Sequence, residues 1–87
     1  HFATMFALAA GASILAREGQ VIPAVEYYTH VLADPFWEIN PWMEKVAGRH
    51  VTAAAASLSP EQVAAARERG RQRPLWETVA ELQERLA

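Results

Sequence analysis

The sequence predicts an all-α fold of five helices, and three observations carry that prediction. The stretch 3–35 reads as two helices joined by a tight turn, with small residues where they would touch. Two later points, Asn40-Pro41 and Ser59-Pro60, carry strong helix-start chemistry. The last thirteen residues place Leu75, Val79, Leu82 and Leu86 on one helical face.

The first helix is expected over 3–17. Phe2, Met5, Phe6, Ala9, Ala12 and Ala16 form one stripe, and Leu8, Gly11 and Leu15 a second. A helix without a polar face is usually covered on several sides. The apolar run is about 15 residues, short of the about 20 that cross a bilayer, and no basic segment precedes it as in a signal peptide. It is therefore read as a buried helix, and no membrane partner is expected. Gly11 costs a helix interior about 1 kcal/mol against Ala, which close packing would offset. The break falls at Glu18-Gly19-Gln20, with Gly19 as the stop.

The second helix, 22–33, opens with Pro23 in its first turn. Val25, Tyr28, Val31 and Leu32 make its apolar stripe, with Glu26, Thr29 and His30 toward water. Ala9, Ala10, Gly11, Ala12 and Ser13 on the first helix and Ala24 on the second let the backbones approach, so 3–35 is an αα-hairpin. Pro35 ends it. The connector Asp34-Pro35-Phe36-Trp37-Glu38-Ile39 carries two adjacent aromatics, either anchors in a groove or a binding surface.

The third helix is expected over 40–58, capped by Asn40 with Pro41 at its first position. Trp42, Val46, His50, Ala53 and Ala54 share one face; Lys45, Arg49 and Thr52 share the other. The segment 60–86 supplies two capping helices. Ser59, Pro60 and Gln62 make a capping box for the fourth, which runs to Gly70 with a weak apolar face. Arg67, Arg69, Arg71 and Arg73 follow within seven residues. The fifth begins after Pro74, with Glu77, Glu81, Glu84 and Arg85 opposite its leucines.

Length and composition narrow the function classes. An 87-residue chain makes one domain, and many of its 52% hydrophobic residues are alanines, so the core is thin. Such a domain leans on a neighbour or a second copy, so a protein partner or a homodimer is expected. The chain has no cysteine, which removes disulfides and thiolate chemistry and fits the cytoplasm. It begins at His1, as a fragment or processed product would. The net charge of −2 argues against general nucleic-acid binding. The charge is uneven: residues 1–44 hold one arginine against five acids, and 45–87 hold seven bases against five.

Two blocks resemble known families. Gly19, Ala24, Tyr28 and Pro35 resemble the turn glycine, small residue, aromatic and closing proline of a tetratricopeptide repeat, with Leu8 where the early Trp usually stands and Val31 where the late small residue does. Leu58-Ser59-Pro60-Glu61, then Ala64-Ala65-Ala66-Arg67-Glu68-Arg69-Gly70-Arg71, then Glu77-Thr78-Val79-Ala80-Glu81-Leu82, are similar to the C-terminal tail of large bacterial LuxR-like and related ATPase-type regulators. The resemblance implies a right-handed tetratricopeptide-like stack ending in a cap. It implies a role in signalling or transcription regulation, with ATPase and DNA-binding parts elsewhere. It places no catalytic residue here.

No catalytic constellation is read in the residues themselves, and none is expected to hold a metal or cofactor. Gly11, Gly19, Gly48 and Gly70 stand alone, with no Lys-Ser or Lys-Thr after them. His1, His30 and His50 lack metal-ligand spacing, and His50 is expected to be a partly buried structural residue. Glu77, Glu81 and Glu84 read as a solvated face. The candidate interface is the first helix and the connector: Phe2, Met5, Phe6, Phe36 and Trp37. The candidate anionic contact is Arg67, Arg69, Arg71 and Arg73, for an acidic partner or a nucleic-acid phosphate. The alternative to a protein interface is a small effector held near Tyr27, Tyr28 and Trp42, which would need a pocket of about 300 Å³ or more. Trp37, Trp42 and Trp76 are expected in the core or filling grooves.

Overall fold

The first helix ends because Gly19 takes a positive φ of 88°, which only glycine adopts freely. That turn lets the Gln20 N–H donate to the Leu15 carbonyl (2.9 Å) and the Gly19 N–H to the Ala16 carbonyl (3.3 Å). This is the Schellman arrangement, which satisfies carbonyls the helix end would leave open. The computed structural model describes residues 2–33, 45 and 48–86, with backbone alone at 2 and 3. Among them it shows five helices and no strand: α1 (Phe2–Arg17), α2 (Val21–Leu32), α3 (Arg49–Ala55), α4 (Pro60–Gln72) and α5 (Leu75–Leu86). The all-α expectation matches the described residues; α1 and α2 cover the stretch read as a hairpin up to Ala33, and its closing Pro35 lies outside the described residues. The expected helix start at Asn40-Pro41 and the connector with Phe36 and Trp37 lie outside the described residues, as do Trp42 and the side chain of Phe2.

Helix α2 is the centre. It packs on α1 and α4, with α3 against both α1 and α2. Because it is covered on opposite sides, the expected polar face of α2 is not a polar face: His30 is buried, whereas Leu32 is 46% exposed. Ala24, Val25, Tyr27, Tyr28 and Val31 join Met5, Leu8, Ala9, Ala12 and Leu15 of α1 in one core. Of the small residues expected between α1 and α2, Ala10 faces outward. Gly11 instead faces α5, where a Cβ would lie 2.5 Å from Cδ2 of Leu82.

Helix α3 ends short of Leu58, because Ala56, Ser57 and Leu58 donate to carbonyls three residues back and tighten the chain. Ser59 then caps α4 as its sequence dictates. The Gln62 N–H donates to Ser59 Oγ (3.2 Å), and the Ser59 N–H donates to Gln62 Oε1 (2.9 Å). The helix continues past Gly70, its expected end, to Gln72, so Arg67, Arg69 and Arg71 lie within it and Arg73 follows as its cap. Arg73 leaves the helix with ψ 138°, the extended geometry that a following proline imposes. Ala66 and Gly70, one turn apart, are buried against α2. Helix α5 then returns to α1. Leu82 is its buried leucine, Leu75 and Val79 are half-buried, and Leu86 is 42% exposed. Trp76, expected in the core or a groove, is 69% exposed, because it follows Leu75 on the opposite side of the α5 stripe.

Candidate functional site

Two surfaces compete for a functional role, and the first is a polar lock inside the fold. Tyr27, one position before the aromatic that the hairpin pattern selects, is fully buried. Its hydroxyl donates to Glu81 Oε1 and accepts from Arg85 Nε (2.9 Å). Arg73 lies over its ring, 4.9 Å from the centroid. From there the guanidinium donates to Glu26 on α2, to Glu81 on α5, and through Nε to Thr78 Oγ1 (2.9 Å). The Thr78 hydroxyl donates to the Pro74 carbonyl (2.8 Å), closing the α5 start. Glu26 also accepts from Arg69 Nε (3.2 Å).

The electrostatics follow from that geometry. The hydrogen bond from Tyr27 holds the Glu81 carboxyl below its ordinary range, with Arg73 and Arg85 adding to the effect against the opposing cost of burial. Burial pushes the Tyr27 phenol above its ordinary value, and the bond to Glu81 adds to that. Near neutral pH the phenol is therefore a neutral donor to an ionised carboxylate. The phenol itself is buried, while the Glu81 and Arg85 side chains that hold it are 40% and 39% exposed. The arrangement ties α2, α4 and α5 together.

This lock absorbs half of the arginine cluster. Arg69 and Arg73 are paired with Glu26, and Arg73 also with Glu81, so these two meet the chain's own carboxylates rather than a partner's anion. Arg67 and Arg71 remain on the exposed side of α4; Arg71 meets Glu68 at 3.3 Å in open water. Glu77 and Glu84 are exposed as expected, and Glu81 on the same face is partly exposed but paired; the water-facing assignment of Glu26 is corrected, since its side chain is largely covered by Arg69 and Arg73. The one local signal for Glu81 was its i,i+4 spacing to Arg85. Its other partners are 8 and 54 positions away in sequence, beyond any periodic pattern.

The second surface is apolar. Along α1, Ala7, Ala10 and Ile14 are exposed on one stripe, and no charged residue occurs from Phe2 to Ala16. Ile14 is 41% exposed. Beside this stripe α1 and α5 enclose a groove of about 380 Å³, lined by Thr4, Ala7, Leu8, Val79, Leu82 and Leu86 among others. Of the expected interface residues, Met5 is buried in the core with 4% exposure and so has no free area for a partner, and Phe6 is half-buried against the core. The exposed apolar stripe thus runs through Ala7, Ala10 and Ile14, one side round α1 from Met5. The cavity beside Tyr28 is about 100 Å³; Trp42, the third residue of the expected effector site, lies outside the described residues.

Among the described residues there is no cluster of acids, histidines and cysteines able to hold a metal, and no helix is long and apolar enough to cross a membrane. Comparison with protein-family models, curated proteins and solved structures gives no match.

Proposed function

We propose that this domain is a protein–protein interaction module of a cytoplasmic bacterial signalling or transcriptional regulator, acting as the end of a tetratricopeptide-like stack. The observation that carries the reading is the uncharged exposed stripe Ala7, Ala10 and Ile14 on α1, continuous with the apolar groove that ends at Leu86. A helix face in permanent contact with water ordinarily carries charge, and a contiguous apolar patch beside a groove marks a docking surface when it is large enough. The packing of α3 on both helices of the hairpin and of α4 on α2 supports the stack, and the return of α5 to α1 supports its role as an end piece. The similarity of residues 58–82 to the tail of LuxR-like regulators supplies the cellular setting.

Light scattering across a concentration series, on the wild-type chain and on Ile14→Asp, tests the reading. The expected result is concentration-dependent association of the wild type, abolished in Ile14→Asp with circular dichroism unchanged. A wild type that stays monomeric at high concentration would remove the α1 face as an interface.

A further inference from the structure

The arginine cluster holds a second, separate surface. Arg67 and Arg71 stand at i and i+4 on α4, hence on one side of the helix. Together with Thr29, Leu32 and Ala33 of the α2 end they line an open groove of about 410 Å³. Among the described residues Arg67 has no ion-pair partner, and Arg71 has only the exposed Glu68, a contact of little worth in water. The floor is apolar where it could have been polar: Leu32 is 46% exposed there.

Arg67, Thr29 and Leu32 also border the cavity of about 100 Å³ between α2, α3 and α4, whose deeper wall includes Val25, Val51 and Ala55. Thr29, Thr52 and Arg67 add polar groups to its lining; it is smaller than the cavity of about 150 Å³ that takes a benzene ring, so its aliphatic wall suits a small aliphatic side chain. The combination is a small hole of mixed lining, aliphatic along Val25, Val51 and Ala55 and polar at Thr29 and Thr52, beside two under-used guanidiniums. Its complement is one aliphatic anchor flanked by carboxylates.

We infer that the α2–α4 groove binds an acidic peptide segment of a protein partner. Its carboxylates face Arg67 and Arg71, and an aliphatic side chain enters the hole beside Tyr28. The inference rests on the interaction reading above and gives that reading a partner chemistry, on a surface distinct from the α1 stripe. Arg69 and Arg73 take no part, since Glu26 and Glu81 hold them.

A random peptide library displayed on phage, selected on the immobilised 87-residue chain, identifies binders. These are then synthesised and titrated by fluorescence anisotropy. The expected consensus is an aliphatic residue flanked by Asp or Glu. Affinity should fall about tenfold in the double variant R67E/R71E, as expected for losing and reversing two exposed charge contacts. The milder R67Q/R71Q should lose less, and added salt should weaken binding. Both variants alter exposed side chains, and circular dichroism checks their fold.

A consensus without acids, affinity unchanged in R67E/R71E, tighter binding of a single-stranded DNA oligonucleotide, or no recovered peptide would each overturn the inference. Ile14→Asp separates the two surfaces. Peptides lost in Ile14→Asp but kept in R67E/R71E sink the groove and leave the interaction reading standing. No recovered peptide together with a monomeric wild type removes both.

Discussion

Gly70 of α4 lies bare against the backbone carbonyl of Glu26 on α2. A Cβ there would overlap that oxygen and sit 2.9 Å from Cβ of Thr29. The same Glu26 accepts from Arg69 and Arg73 through its side chain. One residue of α2 therefore serves as backbone floor and ionic anchor for the same helix, which fixes α4 in both distance and rotation.

Gly70→Ala should destabilise the fold. Alanine gains about 1 kcal/mol of helix propensity, but the obstructing atom is backbone and cannot rotate aside, and overpacking of this kind costs about 1–3 kcal/mol or more. Gly11→Ala is the control, because the obstruction there is the flexible end of Leu82. We expect Gly11→Ala within about 1 kcal/mol of wild type and Gly70→Ala clearly below it in urea denaturation.

Glu81→Gln should loosen α5 before it unfolds the domain. The substitution removes the ionised acceptor of Tyr27 and Arg73. The Glu81 side chain is 40% exposed, so solvent screening reduces the loss to about 1 kcal/mol. Faster amide exchange over 75–86, with α1 and α2 still protected, is the expected signature. Uniform protection in the variant would mean that the leucine stripe alone holds the helix.

The lock also sets a pH dependence. Folded Glu81 gives up its proton more readily than an ordinary carboxyl. Its contribution is therefore complete above the ordinary carboxylate value and is lost as pH falls through the lowered folded value. Tyr27 shifts the other way from its ordinary 10.0, so its contribution is complete below that value and is lost as pH rises through the raised one. Urea midpoints measured against pH should show a shallower acid limb in Glu81→Gln than in wild type.

Ser59→Ala should cost about 1 kcal/mol, the usual loss of an N-cap, since Ser59 and Gln62 satisfy each other's backbone N–H groups. A stability equal to wild type by thermal melting would show that α4 is held by its contact with α2 alone.

Trp76→Ala should change stability by less than about 0.5 kcal/mol, as at any surface position without a special contact. Trp76 is 69% exposed. A drop of several kcal/mol in a chemical melt would contradict its placement at the surface.

Local chemistry alone determined much of this fold. The Gly19 stop, the Ser59–Gln62 box and the start of α5 after Pro74 each depend on residues within about one helical turn, and the Leu82 stripe on the helical repeat. Such signals are complete in a short window of sequence, and so they were legible. The tertiary structure decided which side of α2 is covered, and therefore that His30 is buried, Leu32 exposed and Glu26 paired. It also chose between the arginines: Arg69 and Arg73 are held by Glu26, 43 and 47 positions away, while Arg67 and Arg71 face outward. Charge along a chain tells which residues attract one another. Only the packing of α4 and α5 around α2 brings a given pair within reach and leaves another in water.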